Sequence, residues 1–405
     1  MTTMTVPLKK RVVGIALLTA VAVMGDSMLF IVLPLYWEEF GLTALWQIGI
    51  LLSVNRFIRL PINPLVGIFY QRFQLRTGVL IALFLAVITT ASYGLLTEFW
   101  MLLMMRILWG VAWSLIRLGG LLTVIDATDD QNRGQYVGLY NGLWGIGGLI
   151  GMLAGGLLVD QTSIVVVTSL FACIGLAALP TAWILVPVSK ASETRKQTRS
   201  LPIRQWLSPY VGMVLITGMA MGFIIFGLFA STLSPIIERV YLDDWTVAQI
   251  TIGAATLAGI IQAIRWGWDP FVAPIVGKML DNSSSMLRIL LVPLFLGSAL
   301  FLTLANIQSI ILLIVGLVMF QFLSTIFVTT TDTIATNAAA QTDRVKVMTA
   351  HTVMVDIGAA LGPSISFLII GWYSLTAVYY LAGFLLFSLG IFWLVLKTRL
   401  LQLSL

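Results

Sequence analysis

The chain has 405 residues, of which 59% are hydrophobic and only 10% are charged. A soluble domain averages about 25% charged residues, so this composition excludes an ordinary soluble protein and predicts an integral membrane protein. The formal charge of +6 would also suit a nucleic-acid partner, but the basic residues concentrate in short polar breaks, as the positive-inside rule describes for cytoplasmic loops. We therefore expect no nucleic-acid binding and a multi-pass protein of the cell membrane, which in a bacterium is the inner membrane.

Successive apolar runs supply the roughly 20 residues that a helix needs to cross a bilayer. They predict twelve transmembrane helices, at about residues 12–37, 46–70, 77–97, 98–124, 136–159, 163–187, 209–236, 246–276, 287–305, 307–335, 347–370 and 374–396. The distribution of Lys and Arg places both termini in the cytoplasm. A polar basic stretch near the middle divides the spans equally, so we expect an N-terminal six-helix bundle at 1–187, a cytoplasmic linker at 188–208 and a C-terminal bundle at 209–405.

The second span contains Arg56 and Arg59, about 16 and 12 Å from its cytoplasmic end near Gly67. At this depth snorkelling to the interface is a poor explanation. One interpretation is that the two arginines form buried ion pairs, with Asp26 or with acidic residues of the second half. The other is that they line a central cavity and attract an anionic group, because guanidinium groups offer several directed donors. Asn55 would add a polar contact to that cavity.

The fourth span places Arg106 and Arg117 eleven positions apart, close to one helix face, together with Gly110 and Trp113. Arg106 and Trp113 are candidates for substrate contact. Arg117 is equally consistent with a side chain that reaches the cytoplasmic edge.

The eighth span contains Gln262, Arg265 and Asp269. Arg265 and Asp269 are four positions apart and would form a local ion pair. Gly267 and Pro270 are predicted to interrupt this span, and broken helices are common at carrier sites, so Gln262 and Arg265 remain candidates for substrate contact.

Acidic residues within the spans are the candidates for proton coupling. An ionisable group at the bilayer centre is costly, and a carboxylate whose arginine partner changes can take up and release a proton. Asp26 is the first candidate and Asp332 the second, followed by Asp356 and Asp269. The only histidine, His351, is interpreted as a packing or loop-contact residue. Within the spans, Arg56, Arg59, Arg106 and Arg117 stand against Asp26 in the first half, and Arg265 stands against Asp269, Asp332 and Asp356 in the second. A cavity between a basic and an acidic wall would suit an anion or a zwitterion.

The two halves repeat one pattern. Pro64 and Gly67 recur 210 positions later as Pro274 and Gly277. A second pair of glycines, Gly147 and Gly151, recurs 211 positions later as Gly358 and Gly362. Matches at nearly one offset predict a duplicated six-helix unit, as in carriers built from parallel repeats.

With these residues the chain resembles the major facilitator superfamily over essentially its whole length. The signature after the second helix of that family is met at Gly67, Gln71 and Arg72 but lacks its acidic residue, which the second copy keeps in Gly277 and Asp281. The family pattern of the fourth helix is met by Arg106 and Gly110. The antiporter pattern of the fifth helix is met at Gly147, Gly151, Gly155 and Gly156, with Met152 where a proline belongs.

The resemblance implies an all-α membrane fold of two six-helix bundles and a secondary transporter that works by alternating access, with no enzymatic activity, cofactor or metal. It implies gating roles for the signature residues and for Gly147, Gly151, Gly358 and Gly362, and a role for Arg106 in the proton affinity of a nearby carboxylate. The expected function is proton-coupled efflux of a small anionic or zwitterionic amphiphile, such as a siderophore, a metabolite or a drug. Uptake of a similar carboxylate-bearing solute is the alternative. The expected partners are this small molecule, protons and membrane lipids, and the chain is expected to be a monomer.

Overall fold

The computed structural model describes residues 8–126, 133–186, 208–241, 245–247, 250–281 and 286–402. These residues are almost entirely helical, and the predicted all-α class is confirmed. The linker predicted at 188–208 lies outside the described residues, apart from Ser208 at its end.

Helices occupy all twelve predicted spans. In the first half they are α1 Leu8–Leu35, α2 Leu45–Phe57, α3 Arg59–Arg72, α4 Leu75–Leu95, α5 Phe99–Asp126, α6 Arg133–Gln161 and α7 Ile164–Leu185. In the second half they are α8 Pro209–Met221, a π-helical stretch Gly222–Phe229, α9 Ala230–Val240, α10 Ala254–Asp281, α11 Met286–Leu304, α12 Ile310–Gln341, α13 Arg344–Trp372 and α14 Leu375–Gln402. The second span is formed by α2 and α3, and the seventh by α8, the π-helical stretch and α9.

The second span is interrupted at Ile58, between α2 and α3. Pro61 explains the position of this interruption, because a proline has no N–H for the carbonyl one turn earlier and its ring crowds that carbonyl. Ile58 keeps a helical backbone, with φ of −63° and ψ of −25°, so the two helices continue in nearly the same direction. The interruption therefore separates Arg56 from Arg59 without a loop.

The eighth span differs from its prediction in two respects. Its first residues form an antiparallel hairpin of β1 Trp245–Val247 and β2 Ile250–Ile252, because β-branched residues favour strands. The predicted interruption near Gly267 and Pro270 is wrong, since α10 continues through Pro270. Each proline removes only one backbone hydrogen bond, and the turns on either side keep the helix together.

Ten helical stretches in the described part of the chain are long and apolar enough to cross a bilayer. The two spans outside this set are the second and the eighth. The second is divided into shorter helices and contains Arg56 and Arg59, while α10 contains Arg265 and Asp269. Both of these spans therefore contain two charged side chains within an apolar run.

The helices cluster into two compact units. Unit 1 takes the described residues of Met1–Thr43, Val54–Lys196 and Asp244–Ala263, and unit 2 takes those of Ala44–Ser53, Gln197–Asp243 and Ile264–Leu405. Each unit therefore contains most of one half of the sequence and a short segment from the other half.

Glycines allow the closest helix contact in each unit. In unit 1, a Cβ atom at Gly147 or Gly151 would overlap the backbone of α1 at Ala20 or Met24. In unit 2, a Cβ atom at Gly358 would overlap the carbonyl oxygen of Met219 on α8. Gly362 lies equally close to Gly227, so both copies of the repeated glycine pattern serve close packing.

In each unit, polar contacts hold the short segment that comes from the other half of the sequence. In unit 1, the carboxylate of Asp160 at the end of α6 accepts hydrogen bonds from the backbone N–H of Thr256 at 2.9 Å and from its hydroxyl at 2.6 Å. Asp160 therefore caps the first turn of α10, and Tyr36 donates to its other oxygen at 2.8 Å. In unit 2, the hydroxyl of Ser364 on α13 lies 2.8 Å from that of Ser53 on α2.

Candidate functional site

The candidate site in unit 1 is built around the carboxylate of Asp26 on α1. Arg106 on α5 donates a hydrogen bond to it through Nη1 and forms an ion pair with it. Asn55 on α2 donates to the same oxygen at 3.2 Å. The side chains of Arg106 and Asp26 are 1% and 10% exposed, so three helices meet at a charge pair that is almost closed to solvent.

Two neighbours position Arg106 and its helix. The hydroxyl of Tyr93 on α4 lies 3.4 Å from Nη1 of Arg106, and the guanidinium lies over the tyrosine ring at 5.8 Å. Gly110 follows one turn later on α5, where a Cβ atom would collide with Ile58 and with the carbonyl oxygen of Asn55. The glycine therefore brings α5 against the interruption between α2 and α3.

The arginines of the second span lie on aromatic rings. The guanidinium of Arg59 is 5.3 Å from the ring centre of Trp113, and that of Arg56 is 5.9 Å from the ring centre of Phe30. Arg59 is 9% exposed and Arg56 is half-buried. Cation–π contacts of this kind strengthen when the cation is removed from water.

An aromatic cluster continues from Trp113. Its ring centre is 5.2 Å from that of Trp144 on α6, in an edge-to-face arrangement. Arg117 lies over the ring of Trp144 at 4.9 Å and donates to Asn141 at 2.9 Å. Arg117 is therefore held against α6 inside unit 1, an environment that its position in the sequence did not indicate.

Unit 2 contains a second charge pair, which lies within one helix. Nε of Arg265 is 3.7 Å from a carboxylate oxygen of Asp269, four positions later on α10. Thr325 on α12 donates to the other oxygen of Asp269, and Trp268 donates to Thr325 at 3.1 Å. The guanidinium of Arg265 lies over the ring of Phe226 at 5.4 Å. The local ion pair expected from the spacing is present.

Three further candidates take no part in these pairs among the described residues, namely Gln262, Asp332 and Asp356. Gln262 is buried on α10 and belongs to unit 1. Asp332 on α12 is in contact with His351 on α13, with 3.2 Å between Oδ1 and Nε2. Asp356 is half-buried on α13.

The signature residues of the second span lie at the end of α3. Gln71 and Arg72 are exposed, and a Cβ atom at Gly67 would meet no atom within 4 Å. Gly277 on α10 is equally open, while Asp281 ends α10 and its side chain lies outside the described part of the chain. Close packing therefore explains neither glycine.

Tyr70, which the sequence analysis did not select, anchors this end of α3. Its hydroxyl donates to the carbonyl of Leu115 at 2.8 Å, and its side chain is buried. A Cβ atom at Gly78 or at Gly119 would overlap the tyrosine ring or its hydroxyl, so both glycines make room for it. The buried Tyr70 therefore holds the end of α3 in place directly before the signature residue Gln71.

Several contact residues were missed because a single sequence does not reveal which helix faces meet. Tyr93, Asn141 and Trp144 belong to this group. Thr325 had a signal, since polar residues are frequent in residues 321–332 of an otherwise apolar span. Among the described residues no group of three or more His, Cys, Asp or Glu side chains is placed to hold a metal ion.

Comparison with known sequences identifies the family. The model of the Major Facilitator Superfamily matches residues 15–269. The chain is 26% identical to the inner membrane transport protein YnfM of Escherichia coli K12 over 238 residues, which are 56% of this chain and 54% of that protein. It is 27% identical to the class H tetracycline resistance protein of Pasteurella multocida over 157 residues, which are 38% of each chain. The chain thus spans about half or less of the length of these curated relatives.

Solved structures support the same fold. A bacterial homologue of the human lysosomal transporter Spinster, in an inward-facing conformation, aligns with a TM-score of 0.75 and 12% identity over 96% of each chain. The nucleoside transporter NupG aligns with a TM-score of 0.75 and 12% identity over 96% of this chain and 99% of that one. At this low identity the likeness establishes the fold alone. With the family match and the ten apolar helices in the described part of the chain, it leads to one conclusion: the chain belongs to the Major Facilitator Superfamily and is a multi-pass membrane protein.

Proposed function

We propose that this transporter exports a small organic amphiphile with an anionic or zwitterionic group, in exchange for protons and by alternating access. The observation that carries the proposal is the Asp26 carboxylate, buried between three helices of unit 1 and bonded to Arg106 and Asn55.

The proton-coupling part follows from the electrostatics of this pair. A carboxylate beside a guanidinium keeps its charge, and a buried carboxylate that loses its cationic partner takes up a proton more readily. Asp26 and Arg106 lie on different helices, so a relative movement of α1 and α5 would change their contact. Asp26 is the primary proton site in this proposal, and Asp269, Asp332 and Asp356 remain secondary candidates.

The substrate class follows from the arginines of the second span. The guanidinium groups of Arg59 and Arg56 lie over the rings of Trp113 and Phe30, which restricts their movement. The N–H groups of a guanidinium lie in its plane and suit a carboxylate or a phosphate. Trp113 adds an apolar surface beside Arg59. Such a surface suits an amphiphile that combines an acidic group with a ring or a chain, with Asn55, Arg106, Gln262 and Arg265 as further candidates for contact.

The direction of transport is proposed from the relatives. Three of the curated matches carry the names of tetracycline resistance proteins, and export of an antibiotic is a direct way to confer resistance to it. The alternative is proton-coupled uptake of a similar carboxylate-bearing solute. One feature favours keeping this alternative, because Met152 stands where the antiporter pattern has a proline.

The first experiment identifies a ligand and then tests Asp26. A thermal-stability screen of the purified protein against small anions, zwitterions and cations selects the ligand, and its flux is then measured in proteoliposomes with an imposed pH gradient. Asp26→Asn should abolish gradient-driven flux, because the amide cannot take up a proton. Glu39→Gln, which changes an exposed carboxylate, should retain it. Unchanged flux in Asp26→Asn would exclude this residue from the mechanism.

The second experiment tests the arginines by ligand binding. Arg56→Gln and Arg59→Gln should each weaken binding about tenfold or more, which corresponds to roughly 1.4 kcal/mol. Arg288→Gln is the matched control, since Arg288 is exposed near the start of α11 and has no role in the proposed site. Folded variants that bind as tightly as the wild type would reject the substrate role of the arginines.

A further inference from the structure

His351 is the one histidine of the chain, and its imidazole is buried inside the helix bundle of unit 2. Nε2 lies 3.2 Å from Oδ1 of Asp332, on the neighbouring helix α12. The exposures of the two side chains differ sharply, 4% for His351 and 57% for Asp332. One member of the pair is therefore buried among the helices, and the other is more than half exposed at the surface of the bundle.

The imidazole occupies a space made for it by a glycine. A Cβ atom at Gly218 on α8 would lie 2.6 Å from Cε1 and from Nδ1 of His351. Nδ1 is buried and has no hydrogen-bond partner among the described residues. Space filling alone does not explain a histidine at this position, because a buried polar atom without a partner is costly.

The surroundings contain few other charges. Helix α8 and the π-helical stretch contain no Asp, Glu, Lys, Arg or His, and Asp332 is the one such residue in α12. On α13 itself, Lys346 is paired with Asp343 at 3.7 Å, and Asp356 and Arg344 are the other charged residues. The charged residues of α14, Lys397 and Arg399, lie near its C-terminal end, and Glu238 and Arg239 of α9 lie at the end of the seventh span. Asp332 is therefore the charged group in direct contact with the imidazole.

We propose that His351 and Asp332 form a second proton-binding site, separate from Asp26. The exposed carboxylate gives protons access to the pair, and the buried imidazole holds one. The neutral imidazole takes up one proton on a ring nitrogen, so the net charge of the pair changes from −1 to zero, and no other bond is made or broken. This inference deepens the proton-coupling part of the proposed function, but it does not depend on the identity of the substrate.

The chemistry of the two groups supports this assignment. Imidazole is the side chain that ordinarily changes its charge between pH 5 and 8. A carboxylate at hydrogen-bond distance stabilises the imidazolium form. Ionisable residues in membrane helices are costly to bury, which makes a purely structural role a poor explanation for a histidine and an aspartate in contact. The earlier interpretation of His351 as a packing residue does not account for its partner.

Because the chain has a single histidine, its titration can be observed directly. Protein labelled with ¹³C-histidine, purified in detergent, should give one imidazole Cε1 signal that moves with pH. We expect Asp332→Asn to change the pH response of this signal, because the carboxylate in contact with the imidazole is lost. This variant is suitable because the Asp332 side chain is more than half exposed, and a thermal unfolding curve checks that it folds. Asp356→Asn, a change on the same helix as His351, should leave the midpoint in place.

Two results would overturn the proposal. One is a signal that does not move between pH 5 and 9 in the wild type. The other is a midpoint that is the same in Asp332→Asn as in the wild type.

A further variant separates this site from the proposed function. Asp26→Asn should leave the histidine titration unchanged even though it abolishes gradient-driven flux. A shift of the histidine midpoint in Asp26→Asn as large as in Asp332→Asn would reject a separate second site. Failure of the Asp26 flux test alone, with a normal histidine titration, would reject the proposed function and leave this site intact.

Discussion

The two units pair their charged side chains differently. In unit 1, Asp26 and Arg106 come from different helices, and their side chains are 10% and 1% exposed. In unit 2, Arg265 and Asp269 are one turn apart on α10, and the Asp269 side chain is 30% exposed. The same repeat therefore contains one charge pair that joins helices and another that a single helix forms by itself.

This difference determines what each pair can contribute. A pair between helices responds to helix movement, and removal of one partner leaves a charge without compensation in a buried site. A pair at positions i and i+4 stays together whenever its helix is formed, and it contributes little to stability where water reaches it. Movement of the helices should therefore act on the pair in unit 1.

The largest expected effect comes from breaking the pair of unit 1. Arg106→Leu should reduce the free energy of unfolding by about 3–5 kcal/mol, because Asp26 remains buried without its cation. Thermal unfolding in detergent measures this change. The double variant Asp26→Leu with Arg106→Leu should recover most of the lost stability while transport stays absent. A single variant as stable as the wild type would contradict the importance of the pair.

Substitution of the packed glycines tests whether both units depend on the same kind of close helix contact. Gly147→Ala should cost about 1–3 kcal/mol, since the new methyl group would overlap the backbone of α1. Gly142→Ala on the same helix is the control, because nothing lies within 4 Å of a Cβ atom there, and it should change the free energy of unfolding by no more than about 0.5 kcal/mol. Gly358→Ala, compared with Gly371→Ala, repeats the test in unit 2. Equal stability of Gly147→Ala and Gly142→Ala would reject the close contact.

The pair of unit 2 should be much less sensitive. Asp269→Asn removes the ion-pair partner of Arg265, whose side chain is only 11% exposed, but residue 269 is partly exposed and its amide oxygen can still accept from Thr325. We expect the free energy of unfolding to fall by about 1 kcal/mol, well below the loss in Arg106→Leu. A denaturation curve beside that of Arg106→Leu measures the contrast. A loss as large as that of Arg106→Leu would remove the distinction between the two pairs.

The smallest effect on stability is expected at the signature glycines. Gly67→Ala and Gly277→Ala should change the free energy of unfolding by no more than about 0.5 kcal/mol, because both positions are open. The gating role proposed for these residues predicts slower flux at unchanged stability. Flux at the wild-type rate in both variants would contradict that role.

Sequence reasoning located the charges and the local pair of Arg265 with Asp269, but not the partners that come from other helices. The depth of Arg56, Arg59 and Arg106 follows from position along an apolar run, which is local information. That Arg106, rather than another arginine, meets Asp26 depends on how α1 and α5 rotate against each other, across 80 positions of sequence. The spacing of residues in the sequence gives no information on this rotation.

Some backbone irregularities also had a local sequence signal, and others had none. The interruption at Ile58 was foreseeable from Pro61, because a proline acts on its own turn. The hairpin at Trp245–Ile252 was hidden inside an apolar run that could be read as helix or strand. The π-helical stretch Gly222–Phe229 had no local signal, and the anchoring of Tyr70 depends on glycines of two other helices.

The cap that Asp160 provides for α10 has a consequence for dividing the chain in two. A cut in the linker at 188–208 would place Asp160 in one fragment and Thr256 in the other, although both belong to unit 1. The C-terminal fragment alone would present the first turn of α10 to water with its leading N–H groups uncapped. Two coexpressed fragments would have to recover this cap from each other, so their reassembly would report directly on the bond between Asp160 and Thr256.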